Sequence, residues 1–333
     1  MAFLQNPPDR LDIFTWHIHG SYLYYLSQGN YNLYIPTDQE KSIGYGGRGD
    51  VFPFGENVIE IPAHEVKMHS FDCILFQSEK NYLLDQYEIF SQQQREQIPM
   101  IYLEHDPPRK HPTDTRHIME DPSILLVHVT QFNKLMWDNG GDQVTVVEHG
   151  ITVPDVHYSG DLNKGAVVVN NLPKRGRRLG ADIFLSVRDE IPLDLIGMDS
   201  AAYGGLGEIP LPELPALLCR YRFFFNPIRY TSMGLAVCEA MMLDMPVVGL
   251  ATTEMVTVIK DGVSGFIDTN IFRLIEKMKQ LLEDPSLAIS LGKAGGNTAR
   301  ERFNIKRFTE DWSKVFHRAI ASNPVIKQGY NYN

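Results

Sequence analysis

The sequence predicts an α/β protein with two Rossmann-like domains, each a parallel sheet covered by helices, that face one another across a cleft. Short apolar segments alternate with amphipathic ones along the chain, a pattern typical of parallel sheets with helices on both faces. The alternation starts near residue 12 and starts again near residue 165. The 333 residues suffice for two domains of ordinary size, and a hydrophobic content of 43% can supply a core for each.

The first half contains six predicted strands and three predicted helices. The strands are apolar runs near residues 12–16, 31–35, 73–77, 100–103, 123–127 and 144–147. The helices are expected near residues 21–28, 80–93 and 130–137. Residues 44–49, Gly-Tyr-Gly-Gly-Arg-Gly, look like a dinucleotide-binding fingerprint. No helix follows them, so we interpret this segment as a mobile loop and not as a phosphate site.

The second half repeats the pattern and ends in helices. Strands are predicted near residues 165–170, 192–196, 223–226 and 245–250, with helices near 180–189 and from Gly234 onward. Three longer helices follow, near residues 271–282, 286–303 and 305–321. We therefore place the first domain at residues 1–152, the second at 153–304, and a final helix with a short tail at 305–333.

Charge and cysteine content narrow the class of protein. The formal net charge of −10 argues against nucleic acid as a partner. Cys73, Cys219 and Cys238 lack metal-site spacing, and we expect them to be reduced, buried thiols of a cytosolic protein. Residues 1–10 are polar and show no signal peptide, and no apolar run approaches the ~20 residues of a membrane span. We expect a cytoplasmic protein, free or held at the inner face of the membrane.

The segment from residue 226 to residue 241 says most about function. A short apolar strand ends at Pro227, a polar loop follows, and an apolar helix opens at Gly234. Free backbone N–H groups and the positive end of the helix dipole make such a helix start suitable for a phosphate. Glu239 lies about one and a half turns into the helix, close enough to project toward a bound ligand.

The order of residues in this region resembles the C-terminal signature of glycosyltransferase family 4, the retaining transferases of the GT-B fold. The elements that match in order and spacing are Pro227, Gly234, Glu239-Ala240-Met241, Pro246-Val247-Val248 and Asp261-Gly262-Val263-Ser264-Gly265-Phe266. Two departures stand out. Thr231 occupies the place of the first glutamate of the family's Glu-x7-Glu pair, and Thr252-Thr253 replace a Gly-Gly pair before Glu254.

The resemblance implies roles for the residues around the helix start. Glu239 would accept hydrogen bonds from two ribose hydroxyls of a nucleotide sugar, because a carboxylate offers two acceptor oxygens to a vicinal diol. The backbone N–H groups of Met233, Gly234 and Leu235 would meet sugar hydroxyls and phosphate. With threonine at position 231, either the donor sugar differs, or Arg229, Tyr230 or Ser232 binds it instead, or activity has been lost.

A basic loop after the first strand of the second half would hold the diphosphate. The family places an arginine and a lysine there; Asn171 stands where the arginine is expected, so Arg175 and Arg178 are our substitutes from the run at residues 174–178, Lys-Arg-Gly-Arg-Arg. Fixed cations can stabilise a departing diphosphate without a metal, and no metal-ligand cluster is visible in the sequence. The alternative is a solvated basic face.

In the first half, the resemblance implies two strand-to-loop junctions at the site. Gly20 lies in the loop that approaches the donor phosphate or the acceptor, and it allows this approach because it has no side chain. His17 and His19 flank the same place. His105 and Asp106 match a His-Asp pair of which the histidine contacts the donor sugar, and we take both as candidate catalytic residues.

The implied function is a retaining, metal-independent glycosyltransferase. The donor would be a nucleotide-diphosphate sugar, UDP- or GDP-linked, serving as substrate with no further cofactor, and the acceptor a glycan, lipid or protein. Two alternatives stay open. One is a degenerate GT-B module that binds a nucleotide or a partner, favoured by Thr231 and Asn171; the other, weaker one is a GT-B epimerase or phosphorylase, for which no acid–base pair can be placed. The resemblance also implies a last helix that crosses back to the first domain.

Overall fold

The structure, a computed structural model, describes residues 10–140 and 143–322. It contains two parallel sheets, one in each half of the chain, and so confirms the predicted fold class. The first nine residues and the tail at residues 323–333 lie outside the described residues.

The first sheet has seven strands in the order β3-β2-β1-β4-β5-β6-β7, all paired in parallel. The strands are β1 Leu11–Thr15, β2 Tyr31–Thr37, β3 Val58–Pro62, β4 Cys73–Phe76, β5 Met100–Glu104, β6 Leu125–His128 and β7 Val144–Val146. The order reverses direction between β1 and β4. Crevices at such reversals, beyond the carboxyl ends of the strands, are where open parallel sheets bind ligands.

The helices of this half differ from prediction in two places, at the segment 80–93 and at an additional 3-10 helix before β4. They are α1 Gly20–Leu26, α2 Gln86–Ile89, α3 Gln92–Gln97 and α4 Gln131–Met136, with a π-helical turn at Asn81–Asp85 and a 3-10 helix at Ala63–Met68. The single helix expected at 80–93 is broken after Ile89, because buried Phe90 adopts extended backbone and Ser91 caps a new helix. Strand β3 was absent from the prediction.

The second sheet has five strands in the order β12-β11-β10-β8-β9. They are β8 Leu162–Val168, β9 Leu193–Ile196, β10 Tyr221–Asn226, β11 Val247–Leu250 and β12 Phe266–Asp268. The helices are α5 Leu172–Arg175, α6 Ala181–Arg188, α7 Leu214–Leu218, α8 Leu235–Met242, α9 Met255–Val258, α10 Ile271–Glu283, α11 Pro285–Arg302 and α12 Ile305–Ser322. Strand order reverses between β8 and β10, so the crevice of this sheet lies beyond their carboxyl ends.

The last helix, α12, packs on the first domain. The Trp312 indole N–H donates to the Tyr22 hydroxyl at 3.0 Å, and the Phe316 ring meets Tyr31 edge-on with 5.0 Å between centroids. Phe308, Trp312 and Phe316 form a fully buried stripe at four-residue spacing. Burial of such large side chains ties the end of the chain to α1 and β2.

A network of charged groups also connects the halves. Arg302, at the end of α11, donates to the carboxylates of Glu148 and Glu254 at 2.6 Å each. The other oxygen of Glu254 accepts the backbone N–H of Phe132, in the first turn of α4, at 3.0 Å. Glu254 is almost completely buried, so Arg302 supplies the charge that compensates it.

Within the described part of the chain, no helix combines the length and the apolar composition that a bilayer crossing requires.

Candidate functional site

The two sheet crevices face the same cavity of about 580 Å³ between the domains. From the first domain, the segment after β1 and the glycine-rich loop reach it; from the second, the segments after β8 and β9 and the start of α8 do. The lining residues are His17, Ile18, His19, Gly20, Ser21, Tyr22, Ser42, Gly44, Gly46, Gly47, Gly49, Val51, Phe52, Asn170, Asn171, Arg175, Met198, Glu208 and Leu235.

Helix α8 begins at this cavity with an unblocked amino end. Gly234 is its N-cap residue and offers no side-chain hydrogen bond, and Leu235 lines the cavity. The N–H groups of the first turn are therefore available to a ligand. The preceding residue, Met233, is held in place by His149, whose Nε2 lies 2.9 Å from the Met233 carbonyl. Burial lowers the pKa of His149 to about 4, so it is neutral and donates from Nε2.

The segment predicted as a basic loop is helical in the structure, with α5 ending at Arg175 and a 3-10 helix over Gly176–Leu179. It carries four cations of two kinds. Lys174 and Arg177 are exposed and paired with carboxylates, those of Asp199 and Asp182 respectively. Arg175 and Arg178 form no ion pair with any described carboxylate; Arg175 lines the cavity, and Arg178 approaches only the Tyr230 carbonyl. Burial lowers the pKa of both guanidiniums, and for Arg175 the charge of Arg178 lowers it further. The Asp106 carboxylate opposes this lowering in both, but it is paired with Arg109. Two neighbouring cations without an ion pair of their own favour an anionic ligand.

Asn171, predicted near the diphosphate, lines the same cavity. It takes left-handed backbone with φ of 55° and forms the N-cap of α5, which turns the chain so that Arg175 faces the cleft. Asparagine tolerates this conformation better than most residues.

Glu239 lines a second, smaller cavity. This cavity has a volume of about 310 Å³ and lies next to the larger cavity along α8, one turn beyond Leu235. Its walls are mostly apolar and come from both domains: Tyr24, Tyr25, Pro53, Thr152, Val153, Pro154, Leu211, Pro212, Leu214, Pro215, Leu218, Glu239 and Leu243. The Glu239 carboxylate is buried, and its Oε1 accepts a hydrogen bond from the Tyr25 hydroxyl at 2.7 Å. Burial raises the pKa of Glu239, and the Tyr25 hydrogen bond opposes that rise.

The loop between β10 and α8 presents the predicted residues 230–232. The Tyr230 hydroxyl is buried without a hydrogen-bond partner among the described residues, and its ring meets Phe132 of the first domain edge-on. Thr231 is half-buried and its hydroxyl makes no hydrogen bond in the described part of the chain, so it can still bind a ligand. Ser232 is buried.

Thr252 and Thr253 pack behind this loop, where the family carries two glycines. The Thr252 hydroxyl donates to the Ile228 carbonyl at 3.3 Å, and that of Thr253 approaches the Ser232 carbonyl. Thr253 keeps the left-handed backbone that glycine favours, with φ of 52°. The substitution therefore exchanges some backbone strain for contacts that hold the loop.

The missing side chain of Gly20 was expected to let a ligand approach, and this expectation is wrong. Gly20 lines the cavity at the start of α1, but the space beside its Cα is filled by the Phe52 ring; a Cβ there would lie 2.1 Å from Phe52 Cε2. The missing side chain thus admits Phe52, and any ligand approaches Gly20 from the remaining side.

His105 lies behind His19. The two rings have centroids 4.0 Å apart, and His19 lines the cavity whereas His105 packs against Tyr22 and Gln77. Burial lowers the pKa of both histidines, so both are neutral near pH 7. The structure places His19 closer to any ligand than His105, whose contact with a sugar stays a prediction.

Asp106 pairs with Arg109 on the loop after β5. The Asp106 carboxylate raises the pKa of His19, whereas the Arg109 and Arg175 charges lower it, so these groups from both domains share one electrostatic neighbourhood. Asp106 therefore lies near the edge of the site, where it forms an ion pair with Arg109.

Sequence reasoning missed the glycine-rich loop as part of the site. Antiparallel bridges from Gly44 to His17 and from Gly46 to Thr37 anchor the loop, and four of its glycines line the cavity. His17 contributes by placing Nδ1 2.6 Å from the Gly47 carbonyl. The spacing of glycines was the available signal, but it pointed to the dinucleotide pattern. Met198 and Glu208 carried no motif.

No three His, Cys, Asp or Glu side chains within the described ranges come together as metal ligands would. The three cysteines are free and buried.

The segment that matches a known family model lies at this site. The family model described as "Glycosyl transferases group 1" matches residues 201–284, about a quarter of the chain, which includes α8 and the loop before it. Trehalose synthases of Thermococcus litoralis and Pyrococcus furiosus are each 38% identical over 77 residues, or 23% of this chain. The chain spans only 19% of the length of these relatives.

Solved structures match over most of the chain. Sucrose-phosphate synthase from Thermosynechococcus elongatus aligns with a TM-score of 0.71 at 15% identity, covering 94% of this chain and 100% of that one. Anabaena HepE in complex with UDP aligns with a TM-score of 0.63 at 14% identity, covering 93% and 100%. TarM aligns with a TM-score of 0.59 at 15% identity, covering 73% and 54%. At such identities the likeness shows the fold, which is the two-domain GT-B arrangement.

Proposed function

We propose that this protein is a retaining glycosyltransferase of family 4. It transfers a sugar from a nucleotide-diphosphate donor to a hydroxyl group of an acceptor, without a metal. The observation that carries the proposal is the guanidinium of Arg175, which lines a cavity shared by both domains together with Leu235 at the open amino end of α8. Neither it nor the neighbouring Arg178 forms an ion pair with a described carboxylate.

The donor fits the two adjoining cavities along α8. The diphosphate would lie between Arg175 and the N–H groups of Gly234 and Leu235, and the sugar would extend into the larger cavity toward His19. One turn further along α8, the carboxylate of Glu239 would accept the ribose hydroxyls at the smaller cavity. Its apolar walls suit a flat base. HepE, of the same fold, has been solved with UDP and with UDP-glucose.

The proposed reaction breaks the bond between the anomeric carbon and the phosphate oxygen and forms a bond from that carbon to the acceptor oxygen. The acceptor attacks on the face from which the diphosphate departs, and its proton passes to the departing phosphate. Negative charge grows on the diphosphate in this step, so fixed cations and helix N–H groups stabilise the transition state more than the ground state. Closure of the cleft keeps water away from the reacting carbon.

The acceptor belongs on the first-domain side of the larger cavity, where His17, His19 and the glycine-rich loop line it. A glycan, a lipid-linked sugar or a protein hydroxyl would fit the proposal, and UDP and GDP are the candidate nucleotides. We propose a cytoplasmic location, with attachment at the inner membrane face for a lipid-linked acceptor.

A donor panel tests the function directly. The purified protein would be incubated with UDP-, GDP- and ADP-sugars, with and without candidate acceptors and with EDTA, while released nucleoside diphosphate is measured. We expect turnover of at least one donor that persists in EDTA. Activity that disappears on chelation and returns with manganese would contradict the role given to the arginines.

The same panel separates the alternative favoured by Thr231. Tight binding of a nucleotide with no turnover of any donor, with or without acceptor, would identify a binding module of the same fold. Release of a free epimerised sugar, or phosphorolysis in the presence of phosphate, would identify the weaker alternatives.

Glu239→Ala is expected to weaken nucleoside diphosphate binding by about 1.5–3 kcal/mol, because a carboxylate that accepts hydrogen bonds from a ligand is lost. Isothermal titration calorimetry would measure the change, and circular dichroism would check the fold. Glu276→Ala is the control, since Glu276 is exposed on α10 and lines neither of the two cavities. Unchanged affinity in a folded Glu239→Ala protein would overturn the ribose role.

Thr231→Glu is expected to change the ranking of donor sugars and to leave affinity for the free nucleoside diphosphate nearly unchanged. The reason is that position 231 would face the sugar, where a carboxylate adds a charge and removes space, whereas Glu239 still binds the ribose. Initial rates of both proteins over one donor panel decide the question. An identical ranking would show that position 231 does not contact the sugar.

A further inference from the structure

The hydrogen bond between Tyr25 and Glu239 joins the two domains at the smaller cavity. Tyr25 lies on α1 of the first domain and Glu239 on α8 of the second, 214 positions apart in the chain. Both side chains are buried, and the donor–acceptor distance is 2.7 Å. Burial and the neighbouring Glu239 charge raise the pKa of Tyr25, so its hydroxyl keeps the proton that it donates.

Only one oxygen of the carboxylate is used. Oε1 accepts from Tyr25, whereas Oε2 accepts no hydrogen bond from the described residues and the carboxylate lines the cavity. The surrounding walls are apolar, so no other described group compensates the charge: Leu218 comes from α7, Val153 from the linker and Pro53 from the loop before β3. The titratable groups near the carboxylate are Tyr25, which bonds it, Tyr24, which lines the same cavity, and Cys238, its neighbour on α8.

We propose that Tyr25 is a positioning residue for the nucleotide: it holds Oε1 of Glu239 so that Oε2 faces the cavity and the ribose diol. The inference rests on the proposed function. The first domain then takes part in nucleotide binding through Tyr25, whose hydroxyl contacts the Glu239 carboxylate and not the reacting atoms. Nucleotide affinity then depends on contact between the domains.

The sign of the expected pH effect follows from the causes of the Glu239 pKa. Burial raises that pKa and the Tyr25 hydrogen bond lowers it, so loss of the hydroxyl raises it further. When ionised, Oε2 has two lone pairs and can accept from both ribose hydroxyls, whereas protonation of Oε2 makes it a donor. Nucleotide binding should therefore weaken as the pH falls through this pKa, and the weakening should begin at a higher pH without Tyr25.

Tyr25→Phe tests the proposal because it removes one oxygen and keeps the buried ring. Titration calorimetry would use the nucleoside diphosphate that the wild-type protein binds and, as a second probe, inorganic pyrophosphate. We expect about a fivefold loss of nucleoside diphosphate affinity, unchanged pyrophosphate affinity, and an acid limb of binding shifted to higher pH. Tyr31→Phe is the matched control, since the buried Tyr31 hydroxyl also donates a hydrogen bond, to the Leu26 carbonyl at 2.8 Å, and Tyr31 lines neither of the two cavities.

A double-mutant cycle with Glu239→Ala, which leaves Tyr25 no side-chain acceptor at this position, separates positioning from a general structural effect. If Tyr25 acts through the carboxylate, Tyr25→Phe should cost no further affinity in the Glu239→Ala background. Equal losses in both backgrounds, or full affinity of Tyr25→Phe at all pH values, would overturn the inference and leave the proposed function standing. A wild-type protein that binds no nucleotide overturns both.

Discussion

Replacing Arg175 and Arg178 together with alanine is expected to weaken nucleoside diphosphate binding by about 3 kcal/mol or more, roughly a hundredfold or greater. Each arginine would donate charge-assisted hydrogen bonds to the diphosphate, and neither has a described carboxylate partner that would already satisfy it. Affinity for the nucleoside without phosphate should hardly change. Calorimetric titration of wild type and variant with both ligands provides the measurement.

The same loop offers a matched control. Lys174→Ala and Arg177→Ala, combined in one protein, remove equal charge from exposed side chains that are already paired with Asp199 and Asp182, so they should change affinity much less. Thermal stability of the Arg175→Ala/Arg178→Ala protein should be retained or raised, because the folded chain loses two cations without a counter-ion. If both double substitutions weakened binding equally, the loop would act as a diffuse basic face.

Arg302→Ala is expected to lower the free energy of unfolding by about 3 kcal/mol. It removes the cation shared by Glu148 and Glu254, and Glu254 would then be a buried, uncompensated charge that still accepts the Phe132 N–H. Urea denaturation followed by circular dichroism would measure the loss. Most of this loss arises because the Glu254 carboxylate is left buried without a counter-ion, and less of it from the favourable energy of the ion pair itself.

Two variants bracket that result. Lys306→Ala removes an exposed cation on the following helix, 4.0 Å from Glu310, and should change stability by less than about 0.5 kcal/mol. Arg302→Ala/Glu254→Gln should recover part of the lost stability, because the neutral amide no longer needs a counter-ion. A loss in Arg302→Ala no larger than in Lys306→Ala would show that the network contributes little to folding.

Local patterns in the sequence were sufficient for much of the fold. Alternating apolar and amphipathic segments predicted most strands near their observed positions because a fully buried strand needs a short apolar run, and β4, β10 and β11 are buried throughout. Strand β3 escaped prediction because the exposed Glu60 interrupts its short apolar run and Pro62 ends it. The break in the helix at 80–93 depends on the Ser91 cap, a local signal that the apolar period obscured.

For the site, the sequence by itself determined three features: the loop that leads to the helix start at Gly234, Glu239 within that helix, and the basic segment at 174–178. Each follows a strand of a parallel sheet, and the carboxyl end of such a strand must face the crevice. Only the tertiary structure decided which arginines lack partners, because Asp182 and Asp199, the carboxylates that pair with Arg177 and Lys174, reach the loop from other elements. It also decided that His19 covers His105, that Phe52 fills the space at Gly20, and that Tyr25 meets Glu239. These contacts join residues far apart in the chain, and no local pattern encodes the packing of one domain against the other.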